Sequence, residues 1–274
     1  MDNKIPLPAY DLVPINAYKQ WSIESSRGCI GNCSFCSIIY KKCWRGYNAE
    51  DVLQRMNAAE KEIANKNLPA NIDFTDDYFF PDKNRAMKIL NEMANSQFKK
   101  YRFIVESRIR DTYNQDYIHV FKKLCGMSVQ YGVECGYDEG LIRIKKGILK
   151  KDIFEAANIL YRNSLNTRVF FSFIIGFPWE NKQQIYETLE TAIRIRIDYQ
   201  IHVNISWWIP LPSEEFDYLR KIKPEIGYDI FDRIDWHRDV DLFMHTHPNL
   251  TELDRDELNA IMSRLKEFGY TLRL

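Results

Sequence analysis

Short runs of β-branched and aromatic residues alternate along this chain with stretches in which apolar residues return every three or four positions. Residues 72–75, 102–106, 128–134, 168–176 and 201–208 have the first pattern and read as strands, with 20–25 as a weaker first strand. Between them, Val52, Met56, Ala59 and Ile63 fall on one helical face, as do Ile185, Leu189, Ala192, Ile193 and Ile197. Such alternation predicts an α/β fold in which parallel strands are joined by right-handed helical crossovers. Six strands of this kind make a curved sheet, a partial (β/α)6 barrel. Ligands of such folds sit at the C-terminal strand ends. Residues 1–19, with Pro6, Pro8 and Pro14, read as an extended lead-in, and 20–211 as the barrel. Residues 212–274 read as an α-rich C-terminal extension, with a helical pattern through Leu258, Ile261, Met262 and Leu265.

Composition narrows the function classes. The chain has 274 residues, and its 38 Lys and Arg balance 38 Asp and Glu, so no basic excess argues for nucleic acid. The apolar run Val169–Phe177 is too short to span a bilayer and contains Ser172, so no membrane partner is expected. The first residues lack the apolar core of a signal peptide, which makes the cytoplasm the expected compartment. In that compartment six cysteines point to metal or redox chemistry more than to disulfides.

The cysteines concentrate in S-S-R-G-C-I-G-N-C-S-F-C, residues 25–36, spaced Cys29-x3-Cys33-x2-Cys36. Thiolates are soft donors suited to iron–sulfur clusters and to zinc. Three of them in one short loop can hold three corners of a cubane and leave one iron open to a ligand. Gly28 and Gly31 let the loop fold tightly, and Phe35 offers a flat face for an adenine. The competing reading is a structural zinc site completed by Cys43.

The loop resembles the defining C-x3-C-x-aromatic-C motif of the radical S-adenosylmethionine (SAM) superfamily, and the resemblance extends from about residue 5 to 216. F-T-D-D-Y-F-F, residues 74–80, is similar to the D-D-x-F element at which family members receive the SAM amino group, which implies Asp76 and Asp77. In V-E-S-R-I-R, residues 105–110, Arg108 resembles a family arginine near the active site. Y-G-V-E-C-G-Y-D-E-G-L-I-R-I-K-K-G, residues 131–147, aligns Glu134 with a strand-end glutamate that serves the SAM site; Cys135 replaces the usual Ser. F-S-F-I-I-G-F-P-W-E, residues 171–180, places Ile175 and Gly176 on the strand that packs beside adenine, with Trp179 where a Gly is usual. I-P-L-P-S-E-E-F, residues 209–216, resembles P-x-P-G-T but lacks the Gly-Thr.

These segments, with P-A-Y-D-L at residues 8–12, look most like the catalytic domain of cobalamin-binding radical SAM proteins. The resemblance implies a [4Fe-4S] cluster on Cys29, Cys33 and Cys36, SAM as co-substrate, and an electron donor such as flavodoxin or ferredoxin. The implied reaction is reductive cleavage of SAM to a 5′-deoxyadenosyl radical that removes hydrogen from a small-molecule substrate; the cofactor carries the chemistry and the protein orients it. No D-x-H-x-x-G cobalamin motif occurs, so a cobalamin-independent reaction is expected. Alternatives are a SAM-binding subunit of a two-protein cobalamin-dependent methyltransferase, and a zinc-stabilised binding protein without turnover. Trp207, Trp208 and Tyr218 read as core more than as pocket, and His237, His245 and His247 as solvated loop residues more than as metal ligands.

Overall fold

The structure, a computed structural model, describes residues 6–12, 20–65, 71–224, 247–267 and 271–273. The chain forms two compact units, residues 1–30 with 38–131, and residues 31–37 with 132–274. His237 and His245 lie outside the described residues, as does most of the lead-in.

In chain order the first unit holds β1 (Trp21–Ile23), β2 (Ser26–Arg27), β3 (Arg45–Gly46), α1 (Ala49–Asn65), β4 (Asn71–Phe74), α2 (Lys83–Ala94), β5 (Arg102–Ser107), α3 (Gln115–Lys123) and most of β6 (Met127–Glu134). Strands β1, β4, β5 and β6 pair in that order, all parallel, with Ile23 opposite Phe74, Ile72 opposite Phe103 and Val105 opposite Val129. The expected face of α1, Val52, Met56, Ala59 and Ile63, is buried. Edge-on aromatic packing fixes the strand ends: Phe74 lies 5.2 Å from Phe79 and 6.4 Å from Phe103. The antiparallel ribbon β2–β3 was not expected; its two-residue strands carry no periodic signal.

The second unit holds the end of β6, then α4 (Asp138–Arg143), α5 (Lys150–Arg162), β7 (Val169–Ile175), α6 (Lys182–Tyr199), β8 (His202–Trp207), α7 (Glu214–Ile222), α8 (Glu252–Glu267) and β9 (Thr271–Arg273). β7 and β8 are parallel, with Phe171 opposite Val203 and Ile175 opposite Trp207. Residues 212–274 carry α8 on the expected helical pattern, and in addition α7 and β9, a further parallel strand on β8.

One helix face differs from expectation. On α6 the buried set is Ile185, Thr188, Leu189, Thr191, Ala192 and Ile195, whereas Ile197 is 68% exposed. The cause is polar. The Gly136 N–H donates to Thr188 Oγ1 at 3.0 Å, and Thr191 Oγ1 donates to the Gly136 carbonyl at 2.8 Å. Hydroxyls that satisfy a buried peptide turn inward, and a hydrophobic pattern does not register them. A Cβ on Gly136 would press on the Thr188 backbone at 2.6 Å, so glycine is needed for this approach. Among the described residues no helix is long and apolar enough to cross a membrane.

Candidate active site

In the first unit the residues leading into Cys29 are held by a carboxylate. Asp76, just past the end of β4, accepts hydrogen bonds from the Ser25 and Ser26 N–H groups at 2.7 and 3.0 Å and from both serine hydroxyls. Burial pushes its carboxyl pKa up against the pull of those bonds. Buried Arg85 of α2 closes the network, donating to the Ser25 carbonyl, to Ser25 Oγ at 2.7 Å and to the Tyr47 carbonyl at 2.5 Å. The two aspartates therefore divide. Asp76 is committed to holding the chain at Ser25 and Ser26. Asp77 is exposed, and its Oδ2 accepts from the Gly28 N–H at 3.0 Å.

Gly28 has φ +80°, and a Cβ there would meet the Cys43 carbonyl at 2.5 Å and the Tyr40 carbonyl at 2.7 Å. The Cys29 N–H donates to the Tyr40 carbonyl at 3.2 Å, and Cys29 forms a bridge with Lys41. Cys43 is exposed, with its sulfur 3.6 Å from an Arg45 guanidinium nitrogen.

Arg108 follows the end of β5 and is half-buried. Its N–H donates to Asp111 Oδ2 at 3.0 Å, and the same buried carboxylate takes the hydroxyls of Ser107 at 2.9 Å and Tyr78 at 3.0 Å. Asp111 thus fixes the backbone from which the Arg108 side chain departs.

The second unit contains Cys33 and Cys36, joined by a tight turn in which the Cys36 N–H donates to the Cys33 carbonyl at 3.3 Å. Distant segments anchor this turn. The Ser34 N–H donates to the Ile144 carbonyl at 3.0 Å, and the Ser34 carbonyl accepts from the Glu214 N–H at 2.9 Å. Ser34 Oγ donates to buried Glu215 at 2.5 Å, and Trp179 Nε1 donates to the same carboxylate at 2.7 Å. Phe35 packs edge-on against Phe177 at 5.9 Å. On Phe35 lies the Lys146 ammonium, 5.8 Å from the ring centroid, and that ammonium donates to Glu134 Oε1 at 2.9 Å. Glu134 ends β6 with φ +76°, a left-handed conformation that costs a non-glycine residue about 1–3 kcal/mol. Gly132 makes room for it, because a Cβ there would collide with Glu134 Oε1 and stand 3.0 Å from Lys146 Nζ. Cys135 is fully buried, and burial raises its thiol pKa well above normal.

Ile175 is buried, and its carbonyl accepts from the Trp208 N–H at 2.7 Å. Gly176 has φ +77°, and the space where a Cβ would stand is filled by the Trp207 indole. Its missing side chain therefore admits Trp207. Both Trp207 and Trp208 are core residues, and Tyr218 is half-buried with Arg143 4.9 Å from its ring.

His247 is buried, contrary to the expectation of a solvated residue. Its Nδ1 accepts from the Asn249 N–H at 3.2 Å, so Nε2 carries the proton and donates to the Phe177 carbonyl at 3.0 Å. The neutral ring is thus a clamp on the 177–180 turn. Glu180 completes that turn, accepting from the Phe177 N–H at 2.9 Å and the Tyr137 hydroxyl at 3.0 Å.

Burial lowers the His247 pKa from 6.5 to about 4 and raises that of Glu180 from 4.5 to about 7. The pH effects have opposite signs. As pH falls from 6.5 to 4, unfolded His247 takes up a proton that the folded ring refuses, so acid costs stability. As pH rises from 4.5 to 7, folded Glu180 keeps a proton that the unfolded group releases, so base costs stability. Each effect is worth roughly 3 kcal/mol. Denaturant unfolding across this range should show partial cancellation in the wild type. Glu180→Gln should make stability rise more steeply with pH than in the wild type, and His247→Gln should make it fall more steeply. An unchanged profile in both variants would contradict the two assignments.

Comparison with known proteins identifies the frame around these residues. The family model of the radical SAM superfamily matches residues 23–192. An uncharacterized methyltransferase of Pyrococcus horikoshii is 31% identical over 204 residues, covering 72% of this chain and 43% of that protein. The chain spans about two fifths of the length of the curated relatives it matches. Among solved structures, the cobalamin-dependent SAM radical enzyme OxsB with aqua-cobalamin and SAM bound has a TM-score of 0.57 at 17% identity, over 90% of this chain and 36% of that one. The radical SAM methyltransferase TsrM of Kitasatospora setae, with tryptophan and a SAM analogue bound, has a TM-score of 0.60 at 13% identity, over 93% of this chain and 59% of that one. These likenesses bear out the α/β fold class, the partial barrel of parallel strands. The match over residues 23–192 covers more than half of the sequence, and the chain belongs to the radical SAM superfamily.

Proposed function

We propose that this chain is the catalytic module of a radical SAM enzyme in which Cys29, Cys33 and Cys36 hold a [4Fe-4S] cluster and SAM is cleaved beside it. The donor set fits that cluster: three half-buried cysteines outside any disulfide, in a loop whose turns only glycine permits at Gly28. The observation that carries the reading is the Lys146 ammonium, which joins Phe35, between two of the cysteines, to the Glu134 carboxylate at the strand end. When bound, the cluster supplies one electron, which breaks a carbon–sulfur bond of SAM and yields a 5′-deoxyadenosyl radical able to abstract hydrogen.

The chain's own residues bind and orient. Asp77, the exposed member of the acidic pair, suits the SAM ammonium, while Asp76 holds the loop from behind. Glu134, paired with and aimed by Lys146, suits hydroxyl donors. Arg108 suits a carboxylate, and Phe35 with the 175–176 strand end offers apolar surface to adenine. The buried, stacked Phe177 and Trp179, 5.3 Å apart, back Phe35 with apolar surface suited to keeping water from a reactive carbon radical.

A second reading comes from the relatives and neighbours named as methyltransferases and cobalamin-dependent enzymes: this chain as the SAM-cleaving part of a cobalamin-dependent methyl transfer. SAM labelled in its methyl group separates the two. Reduced protein without cobalamin should give 5′-deoxyadenosine and methionine that keeps the label. If 5′-deoxyadenosine forms only with cobalamin, or cobalamin co-purifies at about one per chain, the second reading holds.

A further inference from the structure

Trp179 stands where a Gly is usual, and Ser213-Glu214 where Gly-Thr is usual. Within the second unit these two departures meet. Ser213 Oγ accepts the Phe216 N–H at 3.2 Å and starts α7, and Lys145 Nζ donates to the Glu214 carboxylate at 2.5 Å. The next residue, Glu215, is 5% exposed. One of its oxygens takes the Trp179 indole N–H, and the other takes the hydroxyl of Ser34, itself 2% exposed. Arg143 lies 4.6 Å from the Trp179 ring and 4.9 Å from the ring of Tyr218 on α7, so the helix is tied to that indole a second time. Trp179 also stacks on Phe177, against which Phe35 packs. Both residues between Cys33 and Cys36 are thus supported from Trp179, Ser34 through Glu215 and Phe35 through Phe177.

We infer that Glu215 is a positioning residue: it fixes the Cys33–Cys36 turn in the shape that presents both thiolates to one cluster. The inference rests on the cluster reading above and adds to it a residue from outside the cysteine motif. Glu215 makes or breaks no bond of the reaction; it acts through Ser34. Carboxylate geometry explains the choice. The indole N–H can only donate, so its partner must accept, and the second oxygen is left for Ser34. Ordering a short turn costs backbone entropy, and bonds from buried partners offset that cost before any thiolate has to. An apolar side chain at position 215 would strand a buried N–H and a buried hydroxyl, and the turn would open to recover partners from water.

The test uses the full chain, iron-free and after anaerobic reconstitution, with Glu215→Met, Glu215→Gln and Ser34→Ala. In the iron-free chain, hydrogen exchange at the Ser34 and Cys36 amides, which donate to the Ile144 and Cys33 carbonyls, should speed up about tenfold or more in Glu215→Met. In reconstituted protein the same variant should release iron to a chelator about tenfold faster and change the electron paramagnetic resonance spectrum of the reduced cluster. Ser34→Ala should shift all three readouts in the same direction. Adding it to Glu215→Met should cost little more, because one contact is being removed twice. Glu215→Gln should stay within about twofold of the wild type, since its amide nitrogen can donate to the Ser34 oxygen while its carbonyl keeps the indole. Thr191→Val breaks another buried hydrogen bond of the same unit and should alter none of the three. Unchanged exchange in Glu215→Met overturns the inference. An equal effect of Thr191→Val also overturns it, because Glu215 would then be one stabilising contact among many, as does a Glu215→Gln variant as damaged as Glu215→Met. Wild-type protein that holds no iron defeats the cluster reading, while the exchange arm still judges whether Glu215 holds the turn.

Discussion

Replacing Cys29, Cys33 or Cys36 singly by alanine should remove the cluster and with it all SAM cleavage. Two thiolates cannot hold three corners of a cubane, and the anchors of the 31–37 turn act on its backbone and on Ser34 and Phe35, so they supply no replacement ligand. Cys43→Ala, Cys125→Ala and Cys135→Ala should leave iron content intact. Cys43 and Cys125 are exposed and lie outside the 29–36 loop, and Cys135 is buried with its thiol held protonated. The measurement is iron and sulfide per chain in anaerobically reconstituted protein, with the visible iron–sulfur absorption. Loss of iron in Cys43→Ala as complete as in Cys33→Ala would refute the three-cysteine assignment and revive a four-ligand site.

The second large effect centres on Glu134. Glu134→Gln should weaken SAM binding about 10- to 100-fold, the worth of one charge-assisted hydrogen bond in a dry site, with iron content unchanged. It should also destabilise the protein by about 3–5 kcal/mol, because Lys146 is left charged in a nearly closed site. The double variant Glu134→Gln with Lys146→Met should recover stability but not SAM affinity, which separates binding from folding. Gly132→Ala offers an independent route. Its new Cβ would displace the Glu134 carboxylate and crowd Lys146, so SAM affinity should drop through a residue given no ligand contact. If calorimetry finds SAM bound equally well by all three, Glu134 is not a SAM residue.

Strands β4 to β8 and the positions of helices α1, α6 and α8 were legible because their signal is local. β4 to β8 lie within two residues of the runs read from composition and alternation. What escaped is mostly non-local. Nothing near Asp76 in sequence shows that Ser25 and Ser26, some fifty positions away, will spend its carboxylate, or that Arg85 will complete the network. Glu215 and Glu180 look like surface acids of helical segments until Ser34, Trp179 and Tyr137 are seen to bury them. The I-K-K-G stretch contains the lysine that matters but does not say which. Lys146 points to Glu134, while Lys145 pairs at the surface with Glu214. His247 was misread because a histidine beside a proline, between polar residues, carries no sign that a carbonyl of the Phe177 turn awaits it. Nothing in the sequence near Gly176 shows that the indole of Trp207, from the next strand, fills the space its missing side chain leaves.

The central claim is that this chain cleaves SAM at an iron–sulfur cluster held by its own three cysteines. Its most direct test is a single anaerobic assay: wild-type protein with about four irons per chain, dithionite and SAM, with 5′-deoxyadenosine and methionine quantified against a Cys33→Ala control. The account predicts the two products in equal amounts from the wild type and none from the control. Wild-type protein that carries the cluster yet releases no more 5′-deoxyadenosine than the control, or that purifies with one zinc in place of iron, would contradict it.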